Sequence, residues 1–309
     1  MTFLIQWDGE ADLRHHQIIA SANQDGFLSH ALCSVFPDCR EIPQIGKAIL
    51  TPLATGGAMV VYKLSIDLHH QSTHHLVAKI PRDRRIVYAA GTERQGDVDT
   101  TYILFERLSE LAAELDQRVP GLFPRCGGFW HRQQCDGPMQ YVFIEEFIAG
   151  LSVERLKHHY EELLMAGQID QPVYDQRLIA IQRLAVAAFI RLWDALGGQT
   201  FTSDPSPWNV LIRDPEGATP QPTIIDLHSL EENIDLTYVI QRMAAIYGNR
   251  IEIAEEVLLP GVIDALGYDK ALTLLRETLP RLEANGKQSR RNLGVDLQQP
   301  LLRAIGRLK

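Results

Sequence analysis

Residues 202–227 read TSDPSPWNVLIRDPEGATPQPTIIDL. The stretch reads as a turn, a short strand WNVLI, a Pro/Gly-rich hairpin and a second short strand, PTIIDL, which Asp226 ends. Asp204, Asn209 and Asp226 stand at the ends of this apolar hairpin. Singly, each has a plain reading, since an aspartate before proline caps a turn and an aspartate can end a strand. Together they bring two carboxylates and an amide to the edges of one tight hairpin. Trp208, between them, reads as a core residue behind the turn.

The chain before this stretch changes character at AILTPLATGGAMVVYKLSIDLHHQSTHHLVAKIP, residues 48–81. In VVYKLSIDL, Val60, Tyr62, Leu64, Ile66 and Leu68 alternate with Val61, Lys63, Ser65 and Asp67, the period-two pattern of a half-buried strand. A turn at Gln71–Thr73 leads to a returning strand, His75–Ile80, that carries Lys79; Gly56 and Gly57 precede the first strand. VDTTYILFERLSELAAEL places Leu104, Leu108, Leu111 and Leu115 at helical spacing. FPRCGGFW and MQYVFIEEFIAG read as two more strands, and Ser152 caps a helix opening at Val153. A long apolar helix runs from Tyr174 to Leu196 and stops at Gly197 and Gly198. The rest after Asp226 is helical in pattern. Residues 1–50 read as an N-terminal extension with one helix around 22–35.

Composition bounds the function. The chain has 309 residues, enough for about two domains, and its 45% hydrophobic and 22% charged content matches a globular protein. A net charge of −9 argues against a general nucleic-acid binder, which needs a basic face; it is compatible with a cationic substrate. The apolar run before Asp8 is too short for a signal peptide, and no window reaches the roughly 18 apolar residues of a membrane span. Cys33, Cys39, Cys126 and Cys135 lack the paired spacing of a zinc site and read as reduced thiols of a cytoplasmic protein. The paired histidines, such as His69-His70 and His74-His75, read as polar surface turns. The eight basic residues against three acids in 275–309 read as a solvated helix face.

In order, GG…VAK…E…D-x-x-x-x-N…IID resembles the protein-kinase-like superfamily. Within it the chain is similar to the aminoglycoside and choline kinase type of small-molecule phosphotransferase, over roughly residues 51 to 250. Each pattern alone is weak; the order on the expected elements carries the resemblance. The chain departs from protein kinases where Thr202 and Ser203 stand in place of H-R and Ser206 in place of a lysine, whereas Pro207 matches the small-molecule branch. Asp226-Leu227-His228 occupies the D-F-G position and resembles some lipopolysaccharide-core sugar kinases. The glycine loop is reduced to Gly56-Gly57.

The resemblance implies an α+β, bilobal fold: a small antiparallel-sheet lobe with one main helix over 51–147, and a larger helical lobe over 148–309. It implies ATP and Mg²⁺, with a small-molecule hydroxyl as acceptor. Asp204 would accept the hydroxyl proton, Asn209 and Asp226 would hold Mg²⁺, and Lys79 would hold phosphates. Gly56 and Gly57 would let the backbone approach them. Glu106 would hold Lys79 in place, with Glu110 one turn on as the alternative and Glu93 as an outsider. Glu145 to Ile148 would form the hinge, with Glu146, Phe147 and Ile148 at the adenine. A nucleotide-binding pseudokinase and an adenylyl transferase on the same fold are the rival readings.

Overall fold

The structure is a computed structural model that describes residues 4–7, 13–38, 45–55, 59–68, 73–81, 87–89, 92–94, 110–132, 140–202, 204–227, 230–248, 250–293 and 299–307. The chain divides into two units: Met1–Gln117 with Pro124–Phe147, and Arg118–Phe123 with Ile148–Lys309. Both strands and helices are abundant, and the main sheet is largely antiparallel.

In the first unit β1 (Leu4–Trp7), α1 (Leu13–Gln24) and α2 (Phe27–Val35) precede β2 (Ile45–Thr55), β3 (Met59–Leu68) and β4 (Thr73–Pro81). The hairpin of β5 (Val87–Ala89) and β6 (Thr92–Arg94), a helix α3 over 110–118, β7 (Cys126–Arg132) and β8 (Gln140–Glu146) follow. Six strands form a sheet in the order β1-β2-β3-β4-β8-β7, antiparallel except for β1, which runs parallel to β2. The alternation in β3 does what its period requires. Tyr62, Leu64, Ile66 and Leu68 are buried and face the same core as Leu76, Ala78 and Ile80 of β4 and Val142 and Ile144 of β8.

That core is closed by α1 and α2, which differs from the expectation of an extension with a single helix. Ile19 and Ala22 of α1, and Leu28, Ala31, Leu32 and Val35 of α2, recur three or four residues apart and join the sheet core. The one expected helix is two because Gly26 takes a left-handed backbone (φ 78°) between them. His15 Nδ1 lies 2.7 Å from the Tyr62 hydroxyl, so a polar position in α1 is satisfied inside the core. The indole of Trp130 donates to Asp25 at 3.0 Å. The first fifty residues are thus part of the first unit, and the sheet carries more than the one main helix expected.

In the second unit β9 (Leu151–Ser152) leads to α4 (Val153–Met165), α5 (Gln171–Ala195) and β10 (Thr200–Thr202). A 3₁₀ turn (Pro207–Asn209), β11 (Val210–Arg213), β12 (Gln221–Ile224) and β13 (Leu230–Glu232) come next. The remainder is helical: α6 (Leu236–Tyr247), α7 (Ile251–Ile253) running through a π-helical turn into α8 (Leu259–Leu266), α9 (Tyr268–Leu293) and α10 (Gln299–Arg307). Among the described residues no helix is long and apolar enough to cross a membrane.

The side chain of Ser152 accepts from Arg155 N–H at 3.2 Å, capping α4 as its position predicts. The long helix begins three residues earlier than the apolar pattern suggests, because Asp170 caps it and Pro172 is tolerated in a first turn. Ala185 through Ile190 are all buried, more than a full turn, so this stretch is covered on every side, and Gly197 and Gly198, both with positive φ, end the helix.

β11 is the middle strand of a small sheet ordered β12-β11-β9. Gly150, just before β9, packs against it so closely that an added Cβ would stand 2.7 Å from the Ile212 carbonyl oxygen. Gly150→Ala is therefore expected to cost about 1–3 kcal/mol. The measurement is the urea midpoint at unchanged slope; a variant as stable as the parent would refute the close approach of Gly150 to β11.

Candidate active site

The turn leading into β11 is built by its own sequence. Pro205 and Pro207 fix φ on either side of Ser206, whose hydroxyl accepts from Trp208 N–H at 3.3 Å and whose carbonyl accepts from Asn209 N–H at 2.9 Å. Upstream, the Thr202 hydroxyl, buried at the end of β10, accepts from Asp204 N–H at 3.2 Å. The result presents Asp204 to solvent while Thr202 and Pro205 on either side are buried.

Asn209 ties the turn together. Its amide nitrogen donates to the Asp204 carboxylate Oδ2 at 3.0 Å and to the Asp204 backbone carbonyl at 3.2 Å. Its own carbonyl accepts from Ile225 N–H at 3.0 Å, which extends the β11–β12 ladder by one step. Asp226 is the next residue. Two of the three polar residues picked out in the sequence are therefore in direct contact, and the third is one residue from a bond to the second. β12 is in turn held by Ile224 N–H donating to the Leu122 carbonyl at 2.8 Å.

Carboxylate and amide oxygens are the donor types that a magnesium ion takes. The Asn209 amide nitrogen is committed to Asp204, so its Oδ1 is not used in that bond, and Asp226 follows Ile225, whose N–H donates to the Asn209 backbone carbonyl. Among the described residues no group of three or more His, Cys, Asp and Glu could hold a metal. Magnesium needs less: it retains waters and takes one or two protein oxygens together with substrate phosphates.

Trp208 is not the core residue its type suggests. It is 52% exposed. Val210 and Ile212 are buried at period two, and the same period would bury Trp208. The 3₁₀ turn at Pro207–Asn209 breaks that alternation and turns the indole outward, four residues from Asp204.

In the first unit Lys79 stands on β4 opposite Phe143 of β8, with Val61 of β3 on its other side. Its ammonium lies 2.8 Å from Glu145 Oε1, both side chains being largely buried (17% and 10% exposed). Glu145 is one step diagonal to Lys79, opposite Val77. Sequence reasoning placed Glu145 in the hinge and missed this pairing, which depends on the register between two strands distant in the chain.

The neighbouring hinge residues are also partly committed. Glu146 N–H donates to the Arg125 carbonyl at 2.9 Å, and its carboxylate accepts from Arg125 N–H at 3.2 Å. The ring of Phe147 has the Lys63 ammonium 4.6 Å from its centroid and the His75 ring at 5.9 Å. Burial, then the nearby Lys63 and His74, hold His75 below its ordinary pKa. Ile148 is buried and begins the second unit. Gly56, Gly57 and Glu106 lie outside the described residues, as does His228; Glu110 is exposed at the start of described α3, and Glu93 is on β6.

No family model matches this chain, and no curated protein does. Among solved structures it is similar to one titled "WaaP in complex with acyl carrier protein", at 12% sequence identity and a TM-score of 0.40, over 79% of this chain and 88% of that one.

Proposed function

We propose that this protein is an ATP-dependent phosphotransferase with a protein-kinase-like fold, moving the γ-phosphoryl group to a hydroxyl of a small molecule of amino-sugar, sugar or amino-alcohol type. The observation that carries the reading is the clamp on Asp204: an exposed carboxylate fixed by the amide of Asn209, whose backbone is bonded to the segment ending in Asp226. A carboxylate held this way is oriented before an acceptor arrives, which is the condition for general-base catalysis.

Asp204 takes the proton of the acceptor hydroxyl as it attacks the γ-phosphorus, and the oxygen bridging to the β-phosphorus leaves with ADP. Asn209 Oδ1 and the Asp226 carboxylate would hold Mg²⁺, which would supply positive charge against the phosphate oxygens. In the first unit Lys79 holds phosphate oxygens, and Gly56 and Gly57 allow the backbone to approach them. Phe147 and the backbone around it meet the adenine. The second unit supplies the acceptor's surroundings, among them the exposed indole of Trp208, four residues from Asp204.

ATP consumption screened over amino-sugars, sugars, choline-like alcohols and nucleosides tests the reading. The expected product is an acceptor heavier by one phosphate. An adduct heavier by AMP would mean adenylyl transfer, and nucleotide binding with no product from any acceptor would mean a pseudokinase. For the acceptor found, Trp208→Ala is expected to raise its KM about tenfold, equivalent to ~1.4 kcal/mol of binding, with kcat nearly unchanged. An unchanged acceptor KM would place the acceptor away from the indole.

A further inference from the structure

We infer that Glu145 is the positioning carboxylate for Lys79, so that the phosphate-binding lysine is aligned from within the sheet. This rests on the phosphotransferase reading for its purpose, but the pair itself rests on geometry. Lys79 sits opposite Phe143, and Glu145 lies two residues further along β8, toward the end of the strand. A diagonal antiparallel neighbour is about 7–8 Å away between backbones, beyond most side chains but within reach of a lysine. The 2.8 Å contact spans that diagonal, between Lys79 on β4 and Glu145 two residues beyond its directly opposed partner on β8. The ammonium's direction is thereby set, not merely its charge balanced.

The surroundings reinforce that direction. Val77, 8% exposed, stands on the same face beside the lysine stem, and Phe143, 7% exposed, faces it across the strands. A charge pair bounded by these two apolar side chains is weakly solvated, and an unpaired charge left there would be costly. Lysine is a flexible four-carbon stem carrying a point charge, so its usefulness to a phosphate depends on what restrains it. A carboxylate from an adjacent, hydrogen-bonded strand restrains it without any helix having to move. The alignment is present before nucleotide binds.

Trace acylation of lysines, read by mass spectrometry on the full chain, tests the pair without requiring turnover. In Glu145→Gln the Lys79 amine is expected to label at least severalfold faster than in the parent, because the variant removes the carboxylate charge that pairs with it and holds it in place. MgATP is expected to protect Lys79 in the parent, and to protect it less in Glu145→Gln. Glu145→Asp should restore part of the protection. In turnover, the losses from Lys79→Ala and Glu145→Gln should be strongly non-additive, each removing most of what the double variant removes. Equal labelling rates in parent and Glu145→Gln, or additive losses, would overturn the inference. Should Glu145→Gln fail to fold, Glu145→Asp decides it by the same labelling comparison. A parent whose Lys79 MgATP does not protect would overturn the phosphotransferase reading, and the positioning role with it, while leaving the pair standing. Non-additivity of Lys79→Ala with Glu106→Ala in place of Glu145 would assign the role to Glu106 instead.

Discussion

Asp204→Asn is expected to keep nearly normal MgATP binding and to lose roughly 10²–10⁴-fold in turnover, the usual worth of a general base. The prediction follows from the separation of roles in the turn. The Asp204 carboxylate receives a hydrogen bond from Asn209, while the metal and phosphates are assigned to Asn209, Asp226 and Lys79. The substitution is close to isosteric, and its amide oxygen can still accept from Asn209, so the 3₁₀ turn and the ladder step to Ile225 should persist. Asp204 is also exposed, which keeps any stability change small. Loss of turnover with retained binding is then a statement about chemistry, not folding. A pseudokinase would bind nucleotide in both proteins and turn over in neither. Turnover of a true substrate at the parent rate would leave Asp204 with no task beyond capping its turn.

The elements that were legible in the sequence are those written in local pattern. Period two in residues 60–68 gave the inward face of β3, a serine before Val153 gave the cap of α4, and paired glycines gave the end of α5. The spacing of Asp204 and Asn209 suggested a shared turn, and the two side chains do touch. What was not legible depended on partners far away in the chain. α1 reads LRHHQIIASANQ, too polar to announce a core helix; it packs through Ile19 and Ala22, and its His15 is satisfied by Tyr62 in a strand 47 residues on. The parallel pairing of β1 with β2 leaves no trace in a four-residue strand. Trp208 was misplaced because apolar character was weighed without the turn that breaks the strand's period. The Lys79–Glu145 pair needs the β4–β8 register, and no local pattern encodes the register between strands that are not consecutive.

Asp226→Ala is expected to abolish most of the stabilisation that MgATP gives the parent, while the unliganded protein stays folded. A ligand that binds only the native state stabilises it by RT ln(1 + [L]/Kd), about 2.7 kcal/mol at a hundredfold excess over Kd. In a protein of this size that corresponds to a rise in Tm of about 4 °C. Asp226 supplies the stronger of the two proposed oxygen ligands, since a carboxylate carries full charge and the Asn209 amide does not. Removing it leaves one neutral protein ligand, too little to recruit an ion that releases its waters reluctantly. The effect on folding should be modest. The ladder ends one residue earlier, at the Ile225 to Asn209 hydrogen bond, and that bond uses backbone atoms that alanine at 226 leaves in place. Repeating the melt with ATP and EDTA separates metal from nucleotide: the parent should then fall toward the behaviour of the variant, and the variant should hardly change. An undiminished MgATP shift in Asp226→Ala would remove Asp226 from the metal site. With it would go the reason for reading the hairpin's three polar ends as one constellation.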